Sequence, residues 1–193
     1  MEMPNQSSPV AKATSVAAGY DRTRYDDFAI ALHWLTAALV LAQFLLSQTW
    51  GFFDKPTRHV LIVTHMSFGI LLTIVIVTRL VWRLIPGHQV SPADVGWLEV
   101  ASKIVHYLLY ALLAAETVLG FVLRWSGNEA MSFFGLLIPP PIAPFSKEAH
   151  HLVGEVHEWI GWTIVLLALA HAAAALFHQY VLRDHLLDRM LPQ

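Results

Sequence analysis

The chain has 193 residues, of which 56% are hydrophobic and 13% are Asp, Glu, Lys or Arg, about half the charged share of a soluble domain. That apolar excess and a formal net charge of −2 exclude a disordered chain and a basic nucleic-acid binder. The lack of cysteine excludes disulfides, Fe–S clusters, thiolate zinc and cysteine nucleophiles, whereas eleven histidines, almost as many as the twelve Lys and Arg together, are the compositional anomaly.

Residues 1–27 are polar and Ala/Ser-rich with no apolar h-region, so they read as a cytoplasmic tail and not as a signal peptide. Four charge-poor runs follow. Phe28–Phe53, His59–Thr78 and Trp159–Leu182 hold no Asp, Glu, Lys or Arg, and Ile104–Leu123 holds only Glu116. Each is long enough to cross roughly 30 Å of hydrocarbon as a helix. Backbone polar groups in lipid must bond within their own segment. The predicted helices are 28–49, 60–84, 102–123 and 153–180. Pro86, Gly87, Pro92 and Gly96 break the second link. The 124–152 connection, with Pro139-Pro140-Pro141 and Pro144, is expected to fold over one membrane face. The expected fold is all-α: a four-helix transmembrane bundle over 28–182, followed by a short cytoplasmic tail, 183–193.

Basic residues set the orientation. With the N-terminus inside, inner segments hold Lys12, Arg22, Arg24, Arg79, Arg83, Lys103, Arg183 and Arg189, and outer segments hold Lys55, Arg58, Arg124 and Lys147. This excess places both termini on the cytoplasmic side of the membrane. Trp50, Trp82, Trp97 and Trp125 lie near predicted helix ends, as interfacial aromatics do.

Five histidines fall inside the apolar runs: His33, His65, His106, His157 and His171. A lone buried imidazole is ordinarily an interhelical hydrogen bond; five together point to a cofactor. His157 and His171 are 14 residues apart on one helix, so they face nearly the same way at levels about 21 Å apart. That is too far for one metal ion, but it suits a planar cofactor at each level. Haem iron takes axial imidazoles, and filling both axial positions suits an electron carrier. Antiparallel topology pairs His33 with His171 on the cytoplasmic side and His65 with His157 on the outer side. Four residues after each stands a small residue, Ala37, Gly69, Gly161 or Ala175, on the same helix face. After His106 the position holds Tyr110, so His106 reads as a structural residue and not a ligand.

Competing chemistries fare worse. His157-Glu158 opens like a zinc-protease helix, but Gly161 stands where the second His belongs. No nucleophile elbow supports a hydrolase. A His-lined metal or proton transporter calls for more carboxylates or a broken helix, and Glu116 is the one central acid.

The motifs Ala31-Leu32-His33-Trp34-Leu35, Thr64-His65-Met66-Ser67-Phe68-Gly69-Ile70, Val156-His157-Glu158 and Ala170-His171-Ala172-Ala173-Ala174-Ala175-Leu176 resemble bacterial cytochrome b561, over about residues 26–192. Trp50-Gly51-Phe52-Phe53 and Arg189-Met190-Leu191-Pro192 resemble its superoxide oxidase branch. The resemblance implies two haem b groups held by His33, His65, His157 and His171, with superoxide as periplasmic electron donor and ubiquinone as acceptor. It implies membrane lipid, quinone and superoxide as partners. The wider family includes cytochrome b subunits of nickel hydrogenases and formate dehydrogenases, so docking to another redox protein is the alternative function. His178 matches a family histidine beside the quinone; its plainer reading is an imidazole at the interface. Lys55, Arg58, Arg124 and Lys147 are candidates for steering superoxide, or ordinary interface anchors. Glu116 stands where the family pattern is apolar. An intramembrane carboxyl is a functional candidate, with its role open between helix contact, proton holding and a neutral acid.

Overall fold

A computed structural model describes residues 24–86, 88, 90 and 96–191. Expectations resting on residues 1–23 (Lys12 and Arg22 among them), Gly87, Pro92 and Pro192 lie outside the described residues. Four long helices dominate: α1 (Asp27–Thr49), α2 (Lys55–Leu84), α3 (Trp97–Ser126) and α4 (Lys147–Phe177). All four are long and apolar enough to cross a membrane.

Local chemistry sets the helix starts. The Asp26 side chain accepts a hydrogen bond from the Ala29 amide at 2.9 Å, and Ser146 does the same for Ala149 at 3.2 Å, so each satisfies an otherwise orphaned N–H. Pro56 sits in the first turn of α2, where its missing N–H costs nothing. Helices α2, α3 and α4 each begin five or six residues before the expected 60, 102 and 153. A charge scan measures hydrocarbon and not helix: the turns carrying Lys55, Arg58, Glu99, Lys103, Lys147 and Glu155 stay helical in the hydrated interface. Helix α4 ends at Phe177, short of the expected 180, and passes into a π turn, His178–Leu182.

Helix α1 packs closely on α2 and α3 on α4, and the two pairs meet more loosely. The shared core is an apolar layer of Leu32, Leu39, Leu72, Val75, Ile76, Leu113 and Ile164. Outward-facing Leu41, Leu45, Ile74, Val77, Val118, Leu166 and Leu169 are all exposed, and lipid accounts for a surface this apolar.

The 124–152 connection carries a two-stranded antiparallel hairpin, β1 (Met131–Phe133) and β2 (Leu136–Ile138), absent from the all-α expectation. It folds back onto the bundle. Ser67, fully buried in α2, accepts from the Phe134 amide at 2.9 Å and reaches the Ser132 carbonyl at 3.3 Å. At the other end a 3-10 turn, Leu186–Met190, returns to α1. Trp34 Nε1 donates to the Met190 carbonyl at 2.8 Å, and Arg24 donates to the Leu191 carbonyl at 2.7 Å.

Candidate cofactor site

Two cross-bundle imidazole pairs define the site. His33 of α1 and His171 of α4 have ring centres 6.4 Å apart; His65 of α2 and His157 of α4 are 6.5 Å apart. Between the two levels lies the apolar layer, with Ile164 midway along α4 between His157 and His171. Two imidazoles on opposite faces of one metal, each nitrogen about 2 Å from it, put their ring centres roughly 6 Å apart. The separations therefore suit a metal held between the rings of each pair. Among the described residues no three His, Cys, Asp or Glu side chains form a cluster able to hold a bare metal ion.

The other ring nitrogens test the fit. A metal-bound imidazole ordinarily donates its second N–H to a carbonyl or carboxylate, which fixes the tautomer. His65 does this: Nδ1 lies 3.2 Å from the Gln43 carbonyl oxygen, leaving Nε2 for a metal. His157 Nδ1 lies 3.2 Å from Glu116 Oε1, but the pair is misaligned, and His157 Nδ1 and Glu116 Oε2 are both buried without a hydrogen bond. His33 differs, because its Nδ1 accepts from Arg79 Nη2 at 2.9 Å, and arginine has only donors to offer.

The small residues are cradles partly filled by polar side chains. A Cβ at Gly69 would meet Gln43 Nε2 at 3.0 Å, and one at Gly161 would meet Glu116 Oε1 at 3.2 Å. Gln43 Oε1 is buried and unpaired. Buried polar groups without partners, grouped around paired imidazoles, mark space that a polar-edged cofactor completes. The donor set fits a bis-imidazole haem at His65 and His157; at the second pair His33 fits once Arg79 turns away, because an imidazole that accepts at Nδ1 carries its proton on Nε2.

His106 is closer to His171 than His33 is, with ring centres 5.2 Å apart, so three imidazoles meet at the His33–His171 level. Arg79, in the sequence a marker of orientation, lies in this cluster under the Tyr110 ring, 5.4 Å from its centre, with Arg83 at 5.9 Å. Arg79 follows His65 by 14 residues on α2, the same interval that aligned His157 with His171 on α4, so its facing was available from helical periodicity. Trp50, read as an interfacial aromatic, also packs edge-on against His65 at 5.2 Å.

The outer basic candidates divide. Lys55, Arg58 and Lys147 are exposed and hold no ion pair among the described residues, whereas Arg124 is paired with Glu129. Lys147 also lines an open recess of about 470 Å³ with His150, His151, Glu155 and Glu158. Beyond α4, His178 Nδ1 donates to Asp184 Oδ2 at 2.5 Å, and His185 pairs with Asp188 at 3.0 Å. Slight burial opposes ionisation of Asp184, but the His178 hydrogen bond and the Leu186 amide outweigh it and hold the carboxyl below its usual range.

The model of the prokaryotic cytochrome b561 family matches residues 24–193. The chain is 32% identical to cytochrome b561 homolog 2 of Escherichia coli (strain K12), over 87% of this chain and 91% of that protein. It is 31% identical to cytochrome b561 homolog 1 of the same organism, over 88% and 98%. It is 26% identical to the probable superoxide oxidase CybB of Yersinia pestis, over 88% and 97%.

Proposed function

The chain belongs to the prokaryotic cytochrome b561 family, whose members are haem b electron-transfer proteins of the membrane, and we propose that it carries electrons from superoxide at the outer face to ubiquinone near the inner face through two haems. The observation that carries this reading is the stacking of two cross-bundle imidazole pairs on either side of one apolar layer. His65 and His157 would hold the outer haem, and His33 and His171 the inner one. The haems supply one-electron oxidation and reduction in place. The likeness to a probable superoxide oxidase supports the choice of donor.

The chain's own residues position and insulate. The Gln43 carbonyl orients His65. Leu39, Leu72, Leu113 and Ile164 keep water from the space between levels. Lys55, Arg58 and Lys147 draw an anion toward the outer end, and Arg124 is less available because Glu129 holds it. Two superoxide anions each give up one electron and leave as dioxygen. The two electrons, with two protons from the cytoplasmic side, reduce one quinone to quinol. The His178–Asp184 pair lies at the end where those protons enter. The bundle spans 28–182 of an inner membrane with both termini cytoplasmic. Among the described residues, Arg24, Arg79, Arg83, Lys103, Arg183 and Arg189 at the inner side outnumber the four outer basic residues, which supports that orientation.

A pyridine haemochrome assay on the purified chain should return two b haems. His65→Ala and His157→Ala should each lose the outer haem, His33→Ala and His171→Ala the inner one, and His106→Ala neither. A colourless, folded preparation grown with ample haem overturns the reading. Full haem content without superoxide-driven quinone reduction instead leaves an electron-transfer subunit that docks to a larger dehydrogenase.

A further inference from the structure

Resting on the two-haem reading, we propose that Glu116 is a positioning residue for the outer ligand His157, and that its carboxyl group lowers the reduction potential of the outer haem. Glu116 is the one acidic residue in the apolar run Ile104–Leu123, and it faces α4, where the run Trp159–Leu182 is charge-free. Its Oε1 lies 3.2 Å from His157 Nδ1.

Two glycines, one on each helix, admit this contact. A Cβ at Gly161 of α4 would press on Glu116 Oε1 at 3.2 Å, and a Cβ at Gly120 of α3 would touch His157 Cε1 at 3.4 Å. Each polar side chain thus lies against a bare backbone patch on the opposite helix. The group stays unsatisfied as it stands, with His157 Nδ1 and Glu116 Oε2 buried and unpartnered. A small rotation of the carboxyl aligns Nδ1–H with a carboxyl oxygen and leaves Nε2 as the metal-facing nitrogen.

The consequence follows from ligand basicity. An imidazole that donates its far N–H to a carboxyl group becomes a stronger electron donor to its metal, and a stronger donor favours the oxidised iron. The facing ligand His65 donates only to the neutral Gln43 carbonyl, so Glu116 is the adjustable element of this level. A purely structural interhelical contact makes no such demand on the potential.

The test is a potentiometric titration of both haems in the full-length protein and in Glu116→Gln and Glu116→Leu. Glu116→Leu should raise the outer haem's potential, changing its reduced-to-oxidised ratio at fixed potential by about tenfold, which is 59 mV for one electron. Glu116→Gln, which keeps the shape and removes the acid, should raise it less, and the inner haem should not move. If Glu116→Leu fails to retain the outer haem, Glu116→Gln carries the test alone. Two haems with unmoved potentials in the variants overturn this inference and leave the two-haem reading standing. A wild-type count below two overturns that reading, and the inference falls with it.

Discussion

Arg79 brings a permanent positive charge to the cluster of His33, His106 and His171, where its Nη2 donates to His33 Nδ1. Arginine stays ionised in proteins, so its field favours the reduced form of any redox centre held between His33 and His171. On the two-haem reading, Arg79→Met should therefore lower the potential of the haem between His33 and His171, by roughly 60 mV or more at an effective dielectric near 20, with the other haem as internal control in the same titration. Asp26 acts differently, since it caps α1 and also accepts from Trp82 Nε1 at 3.2 Å and pairs with His88 at 3.2 Å. Burial opposes its ionisation, but the Ala29 amide, Trp82 and His88 outweigh that and hold its carboxyl below the usual 3.8. A depressed folded value means that the charge stabilises the native state above that usual value, and that this support fades as pH falls through the lower folded one. Asp26→Ala should cost about 1 kcal/mol near neutrality, and the gap between the two melting curves in detergent should narrow below pH 3.8. The facing of the imidazoles was legible because 14 residues make nearly whole turns. Arg79 obeys the same interval and was missed because basic residues were counted only for orientation. The Gln43 carbonyl has no such signal, since any residue offers one.

At the scale of elements, Ser67 joins two that the chain separates by more than sixty residues. Its hydroxyl donates to the Val63 carbonyl at 2.8 Å within α2 and accepts from the Phe134 amide of the hairpin at 2.9 Å. With the side chain removed, that partly buried amide loses its partner, at a cost of about 0.5–1.5 kcal/mol. Ser67→Ala should speed hydrogen–deuterium exchange over residues 131–138 while the four long helices keep their protection; unchanged exchange there counts against Ser67 as the anchor. The hairpin was hidden in the sequence for physical reasons. Its strands are three residues each, too short for a period-two pattern. Its turn places Phe134 at φ 47° and Gly135 at φ 93°, and a bulky aromatic seldom adopts the left-handed region. The long helices were legible because the bilayer imposes a length and an absence of charge. The starts of α2, α3 and α4 were not, because the capping residue Ser146 and the charged first turns lie beyond the hydrocarbon that the charge scan registers.

For the whole molecule, the end that carries Lys55, Arg58 and Lys147, which the proposed function gives to an anionic donor, bears both signs of charge. Lys55, Arg58 and Lys147 stand exposed, but Asp54, Glu148 and Glu155 share that end and Glu129 ties up Arg124. The local field is therefore a balance of nearby charges, and nearby charges are the ones that salt screens least at low ionic strength. The screening length shrinks from about 30 Å at 0.01 M to about 8 Å at physiological salt, so an anion approaching from solution loses the attraction before it reaches the helix ends. If the three exposed cations steer superoxide, the second-order rate of haem reduction by superoxide should fall as salt rises over this range. Reversing two of them, in Lys55→Glu with Arg58→Glu, should slow capture at low salt and invert the trend, because the added repulsion is then what salt screens. The pair lies at the hydrated start of α2, about two turns from His65, so haem content should stay the same. A capture rate indifferent to salt in the native chain, with both haems in place, would assign Lys55, Arg58 and Lys147 to anchoring the helix ends at the interface and leave diffusion alone to deliver the donor.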